Sequence, residues 1–324
     1  MKTLTSGLSV FFLALVLACC QGSSTGHPPS VSSAPTSLIL SPVPTDTPVP
    51  ATEAPATPTR NPTPTIIVLT NTPEPTPLPS ATFAPPPPIV EVGQIWVNPI
   101  DGGEMVSVPA GEFIMGNNTG YDDEQPDHSV YLDAFYIDKY EVTNAQYRLC
   151  VETGGCSRLV KTDYYDNPDL GQHPVVNVTL EWAKRYCKWA GKRLPTEAQW
   201  EKAARGTDGR TYPWGEGIDC EHAHYLECGG QTVPVGSKVK GVSPYGALDM
   251  AGNVTEWVTD RYQEDYYQTS PDRNPTGGER GIEWVIRGGS WAEAANYVRS
   301  SYRSWYNPNA QYYNLGFRCV RVLR

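Results

Sequence analysis

Three groups of residues in this chain have types and spacings that could support chemistry. Cys220, His222, His224 and Cys228 bring two thiols and two imidazoles into one short segment, a donor set able to hold zinc. In an exported chain the two cysteines read instead as a disulfide closing a loop that carries the histidines. The second group is the stretch 291–314. Trp291, Glu293, Tyr297, Tyr302, Trp305, Tyr306, Tyr312 and Tyr313 alternate there with serines and asparagines. Tyrosine and tryptophan give large contact area at little rotamer cost, and Ser and Asn adapt their hydrogen bonds, so the composition is that of a ligand-binding surface or of aromatic loops packed on one another. The third group is Arg287, Arg299, Arg303 and Arg318, which read as braces for loop carbonyls and carboxylates. His128 and His173 are lone loop histidines with a structural reading. A Gly-X-Ser-X-Gly elbow, a phosphate loop and a zincin helix are all missing from the sequence.

The compartment follows from the N-terminus. Lys2 precedes an apolar run over residues 8–17 that is too short to span a bilayer, as in a signal peptide. Val16-Leu17-Ala18-Cys19 resembles a bacterial lipobox, in which Cys19 would be acylated to become the mature N-terminus. Cys20 is the alternative site, and a plain secretory signal the alternative reading. Nineteen of the 31 prolines fall between His27 and Pro88, where Asp46, Glu53, Arg60 and Glu74 are the only charges. Such a stretch has too little apolar surface to offset the entropy of ordering, so residues 20–93 are expected to form a disordered Thr/Pro-rich linker. At about 3.1 Å per residue in polyproline geometry, it would lift a domain well clear of a membrane.

Residues 94–324 then form one domain. Nearly all of the 35 acidic and 25 basic residues lie here, and the acidic excess, without any Lys/Arg run, argues against nucleic acid as a partner. Outside the export segment the cysteines are Cys150, Cys156, Cys187, Cys220, Cys228 and Cys319. Short loops make Cys150 with Cys156 and Cys220 with Cys228 plausible pairs, though spacing alone leaves other pairings open. Alternation over residues 104–109 and 111–116 predicts a hairpin, and residues 130–138 read as a further strand. Thr143 and Thr196, each followed three residues later by Gln, predict capping boxes that open helices. A helix between them covers residues 180–190, with Gly191 as its C-cap.

At this point the motifs resemble a known family. Met105-Val-Ser-Val-Pro-Ala-Gly-Glu-Phe-Ile-Met-Gly116, Asp138-Lys-Tyr-Glu-Val-Thr-Asn-Ala-Gln-Tyr147 and Trp189-Ala-Gly-Lys-Arg-Leu-Pro-Thr-Glu-Ala-Gln-Trp-Glu201 are similar to runs of the formylglycine-generating enzyme (sulfatase-modifying factor) family. Tyr212-Pro-Trp-Gly215, Pro234-Val-Gly-Ser237, Gly252-Asn-Val-Thr-Glu-Trp257, Arg287-Gly-Gly-Ser-Trp291 and Gly316-Phe-Arg-Cys319 follow in the family's order. The resemblance implies an α+β, C-type-lectin-like fold with little regular secondary structure, and a Cys187–Cys319 disulfide. It also implies a structural calcium at Asp249, Gly252, Val254 and Glu256, two carboxylates and two backbone carbonyls in one turn. The second calcium loop of the family departs at Ala223-His224. Oxidase members hold copper with two cysteines, and the matching positions here are Glu293 and Val298, which offer no soft donor, so copper is not expected. Iron-dependent relatives use a histidine-rich helical domain that has no counterpart in this sequence.

The function expected from these readings is a non-catalytic, ligand-binding domain on a lipid-anchored stalk outside the cytoplasm. Its ligand would be a peptide, protein or glycan held by the aromatic segment. The alternative is an oxidase of the family's type, or a diverged enzyme built around Glu293 and the nearby tyrosines.

Overall fold

The computed structural model describes residues 85–89 and 91–323. The export segment, the lipobox at Cys19 and the linker as far as residue 84 lie outside the described residues. At the linker's far end, Ser107 Oγ donates to Glu91 O (2.8 Å) and Gly93 N to Ser107 O (3.2 Å), so hydrogen bonding to the domain begins before Gln94.

Each helix begins where a threonine can accept the backbone N–H groups that the first turn leaves unpaired. Thr143 caps α1 (Asn144–Glu152), Thr179 caps α2 (Leu180–Trp189) and Thr196 caps α3 (Glu197–Arg205). Around Thr143 and Thr196 the capping box is complete, with Gln146 and Gln199 accepting the cap residue's own N–H at 2.9 and 3.1 Å. Gly191, at φ +69°, follows α2, and Gly206, at φ +72°, ends α3.

The strands are β1 (Ile95–Val97), β2 (Glu104–Val108), β3 (Gly111–Met115), β4 (His128–Leu132), β5 (Phe135–Asp138), β6 (Thr255–Arg261), β7 (Trp284–Arg287), β8 (Ser304–Tyr306), β9 (Leu315–Phe317) and β10 (Val320–Val322). They form a β1-β2-β5-β10 sheet, a β3-β4 pair and a β8-β7-β6-β9 sheet in which only β6 and β9 run parallel. The hairpin expected across residues 104–116 does not form. β2 pairs with β1 and β5, whereas β3 pairs with β4. The corner between β2 and β3 is gripped by Lys202 of α3, whose Nζ donates to Pro109 O and Gly111 O at 2.9 and 2.8 Å. Likewise the single strand expected over 130–138 is two strands in two sheets. Asp133, between them, donates its N–H to Asn274 Oδ1 (3.0 Å) and ion-pairs with Arg273, which turns the chain out of the first ladder.

All nine residues of α3 are buried, charged ones included. Trp200, Ala203 and Ala204 pack with Val106, Phe113, Phe135 and Val258 in one core cluster. A second cluster gathers Tyr147, Tyr186, Trp257 and Phe317 around α1, α2 and the second four-stranded sheet. Disulfides Cys150–Cys156, Cys187–Cys319 and Cys220–Cys228 are all present, the second joining residues 132 apart in sequence. The Cys220–Cys228 bond removes the thiols from the zinc reading of that loop.

Candidate functional site

The turn after β7 sets the site's floor. Gly288 (φ +89°) and Gly289 (φ +62°) are both left-handed, and a Cβ on Gly289 would stand 2.4 Å from Tyr297 O and 2.7 Å from Val298 Cγ1, so this turn can approach Tyr297 and Val298 so closely only as glycine. Ser290 follows. Its Oγ accepts from Asn314 Nδ2 at 3.0 Å, and its carbonyl from Glu293 N at 3.1 Å. Trp291 N donates to Asn253 O (3.0 Å) and Thr255 N to Asn314 O (2.9 Å), knitting the turn to the start of β6 and to the segment before β9.

Glu293 projects from this floor. Thr255 Oγ1 donates to its Oε2 at 3.2 Å. Burial raises the carboxyl's pKa, against hydrogen bonds from Ser290 and Thr255 that lower it, and it makes no ion pair among the described residues. Val298 is fully buried with Tyr212, Ala223, Tyr225 and Ala251. The two positions where the family's oxidases carry thiols thus hold one carboxylate and one sealed aliphatic. These residues do not fit copper.

The aromatic residues nominated from sequence fall into connected pairs. Trp291 meets Tyr313 (ring centroids 5.4 Å), Tyr306 meets Tyr312 (4.7 Å), and Tyr297 meets Tyr302 (5.2 Å). Burial raises the phenol pKa of both Tyr302 and Tyr306, and the charge of Glu293 adds to it, so that Tyr306 is pushed up to about 12. Trp305 belongs to a neighbouring stack on Tyr262 (4.3 Å), whose hydroxyl donates to Asp123. Tyr121, in ring contact with Tyr302 at 5.9 Å, and Tyr262 were not foreseen, since both come from loops remote in sequence. Tyr312 and Tyr313 are the open edge, 45% and 51% exposed.

The arginines are braces, as their sequence positions suggested. Arg287 reaches Glu197 and Glu201, Arg303 binds Glu197 through two nitrogens, Arg299 binds Glu124, and Arg318 binds Glu256. In the turn nominated for calcium, Asp249 (φ +56°), Gly252 (φ +85°) and Asn253 (φ +58°) are left-handed. Asp249 Oδ2 accepts from Gly236 N (2.5 Å), while Glu256 accepts from Arg318 and from Trp200 Nε1 (2.9 Å). Glu141, missed in the sequence reading, joins them by accepting from Val254 N (3.0 Å) and Asn253 Nδ2 (2.7 Å). Burial and mutual repulsion raise the pKa of Glu141, with Asp249 and Glu256 as the repelling charges. Among the described residues no three His, Cys, Asp or Glu side chains converge in metal-binding geometry, so an ion here would depend on backbone carbonyls.

A separate concavity of about 450 Å³ is lined by Asp101, Glu104, Asp138, Tyr140, Glu141 and Gln172 among others, and shares no residue with the aromatic site. Its carboxylates are largely spent. Asp101 and Asp138 hold Lys192, and Glu104 holds Lys139.

Comparison with known proteins agrees with this geometry. The chain is 34% identical over 278 residues to the formylglycine-generating enzyme of Streptomyces coelicolor, covering 66% of this chain and 88% of that one. It is 37% identical over 243 residues to the serine/threonine-protein kinase pkn1 of Chlamydia caviae, but spans only 38% of that kinase's length. Among solved structures, PvdO from Pseudomonas aeruginosa superposes with a TM-score of 0.61 at 29% identity, over 72% of this chain and 99% of that one. Treponema denticola variable protein 1, at a TM-score of 0.58 and 24% identity over 70% of this chain and 98% of that one, supports the fold alone. Residues 95–323 match the sulfatase-modifying factor enzyme 1-like domain, and the chain belongs to that family.

Proposed function

We propose that the domain is a non-catalytic ligand-binding module, displayed outside the cytoplasm on a lipid-anchored stalk, with the aromatic surface around Glu293 as its binding site. One observation carries the reading. Glu293 and Val298 stand where the oxidases' thiols would, and every cysteine of the described residues is committed to a disulfide. Soft thiolates are what select Cu(I), and none is left among the described residues to supply one. The kinase relatives add support, since most of their length lies outside the similar region, consistent with a domain used as a module. The test is incubation of the purified protein with Cu(I), oxygen and a Cys-X-Pro-X-Arg peptide. The peptide is expected to return unchanged in mass. Conversion of its cysteine to an aldehyde would overturn the reading in favour of an oxidase.

We also propose a structural calcium at the 249–256 turn, held by Asp249, Glu256 and the carbonyls of Gly252 and Val254. The charge balance supports it: Glu141, Asp249 and Glu256 are buried together around the single guanidinium of Arg318. Hard oxygen donors in excess of the available positive charge suit Ca²⁺. Chelation should lower the melting temperature and added Ca²⁺ restore it; an unchanged melt after exhaustive chelation would remove the ion from the account.

A further inference from the structure

A carboxylate oxygen can hold a metal ion only with lone pairs that hydrogen bonds have not already taken. The three buried acids of the 249–256 turn differ in this respect. Glu256 has none to spare: its Oε1 accepts from Arg318 Nε and Nη2 at 2.9 and 2.7 Å, and its Oε2 from Arg318 Nε and Trp200 Nε1 at 2.8 and 2.9 Å. Glu141 is only half used. Its Oε1 accepts from Val254 N at 3.0 Å and its Oε2 from Asn253 Nδ2 at 2.7 Å, one donor to each oxygen. Asp249 gives Oδ2 to Gly236 N, and nothing among the described residues donates to its Oδ1, although the residue is only 6% exposed.

The charges divide in the same way. Arg318 is spent on Glu256 and on the carbonyls of Asp138, Lys139, Leu248 and Asp249. Glu141 and Asp249 make no ion pair among the described residues, which leaves two enclosed carboxylates with no cation on them. Holding two like charges out of water is costly, and one divalent cation cancels both. The backbone is placed to help. Glu141 binds the turn at Asn253 and Val254, and the carbonyls of Gly252 and Val254 accept no hydrogen bond among the described residues. Glu141 also lines the concavity of about 450 Å³, together with Val235, the neighbour of the Gly236 that holds Asp249. Water entering from that side would supply the further oxygens that Ca²⁺ takes beyond those of one turn.

On the basis of the calcium reading above, we infer that Glu141 is a ligand of that ion, taking beside Asp249 the place given there to Glu256, whose charge stays on Arg318. The full chain in detergent would be stripped with EGTA and titrated with CaCl2, read by calorimetry and by melting temperature. The wild type should take up one Ca²⁺ per chain. Glu141→Gln and Asp249→Asn should each weaken uptake by about tenfold or more, since even residues behind a ligand shift metal affinity that far. Both should also shrink the rise in melting temperature that calcium brings. Glu104→Gln changes an acid of the same concavity that Lys139 holds, and it should bind like the wild type. A folded Glu141→Gln protein with wild-type affinity would overturn the assignment and leave the calcium reading standing. An equal loss in Glu104→Gln would trace the effect to the concavity's overall charge and overturn it too. A wild-type chain that takes up no calcium would overturn both. Wild-type crystals grown with Ca²⁺ decide the point even if Glu141→Gln does not fold. Anomalous scattering should place the ion about 2.3–2.6 Å from a Glu141 oxygen, with Glu256 still on Arg318. An ion bonded to Glu256 and not to Glu141 would refute the assignment.

Discussion

At the scale of single residues, most buried charges are paired with an opposite charge. Asp260 makes no ion pair among the described residues, and its burial has a testable signature. It is 1% exposed, accepts from Glu197 N at 3.0 Å, and is pushed up to about 8 by burial and by the Glu197 carboxylate beside it. An aspartate of ordinary acidity loses its proton near pH 4 once the chain unfolds. Between pH ~4 and ~8 the native state therefore binds a proton that the unfolded state does not, and stability falls as pH rises, by at most about 1.4 kcal/mol per pH unit for one group. Asp260→Asn keeps an oxygen for the Glu197 N–H and has no proton to lose. The variant should gain stability relative to wild type on going from pH 5 to pH 8, measured by urea unfolding at both. A gap between the two proteins that does not change with pH would refute the assignment. The bracing role of the arginines was legible in sequence because arginines in an irregular, strand-poor domain have carboxylates and loop carbonyls to satisfy. The missing counter-ion of Glu293 was not legible, because it depends on where Arg299 and Arg303 spend their charge.

At the scale of elements, the sequence shows where helices start far better than which strands pair. The Thr143 and Thr196 boxes are local chemistry complete within four residues, and both form as read. Alternation over 104–109 and 111–116 does mark strands, but period two says nothing about the partner, which is chosen by tertiary packing. Lys202, on a helix some ninety residues later in the chain, holds the corner that separates them. This makes α3 a hub, since it supplies Glu197 and Glu201 to the arginines and Trp200 to the core. Thr196→Ala removes the hydroxyl that accepts Gln199 N at 3.2 Å and should cost about 1 kcal/mol in urea unfolding, within a range of ~0.5–2. Thr196→Ser should recover most of it. Equal losses in the two variants would mean that the threonine's methyl, rather than its cap, matters.

At the scale of the whole molecule, long-range covalent ties must do what sparse secondary structure cannot. The Cys187–Cys319 bond closes a loop of 132 residues and Cys150–Cys156 one of only 6. If cross-links act mainly by restricting the unfolded chain, the long loop matters more, and the double alanine variant at 187 and 319 should lose about 2–5 kcal/mol, exceeding the loss at 150 and 156. The reverse order would point to native-state packing instead. The second tie is the proposed lipid at Cys19. Among the described residues no helix is long and apolar enough to cross a membrane, so the domain offers no helical span to hold it at a bilayer. Its acidic excess would also be repelled, not drawn, by anionic headgroups. If the protein is membrane-bound, acyl chains on Cys19 are then the simplest source of that affinity, at about 0.8 kcal/mol for each methylene buried. Cys19→Ala should move the protein from the detergent-rich to the aqueous phase on Triton X-114 partition and remove the lipid mass from its N-terminal peptide, while leaving the domain's melting temperature unchanged. A Cys19→Ala protein that still partitions with detergent would assign the anchor to the uncleaved apolar run at residues 8–17, and the lipoprotein reading would fall.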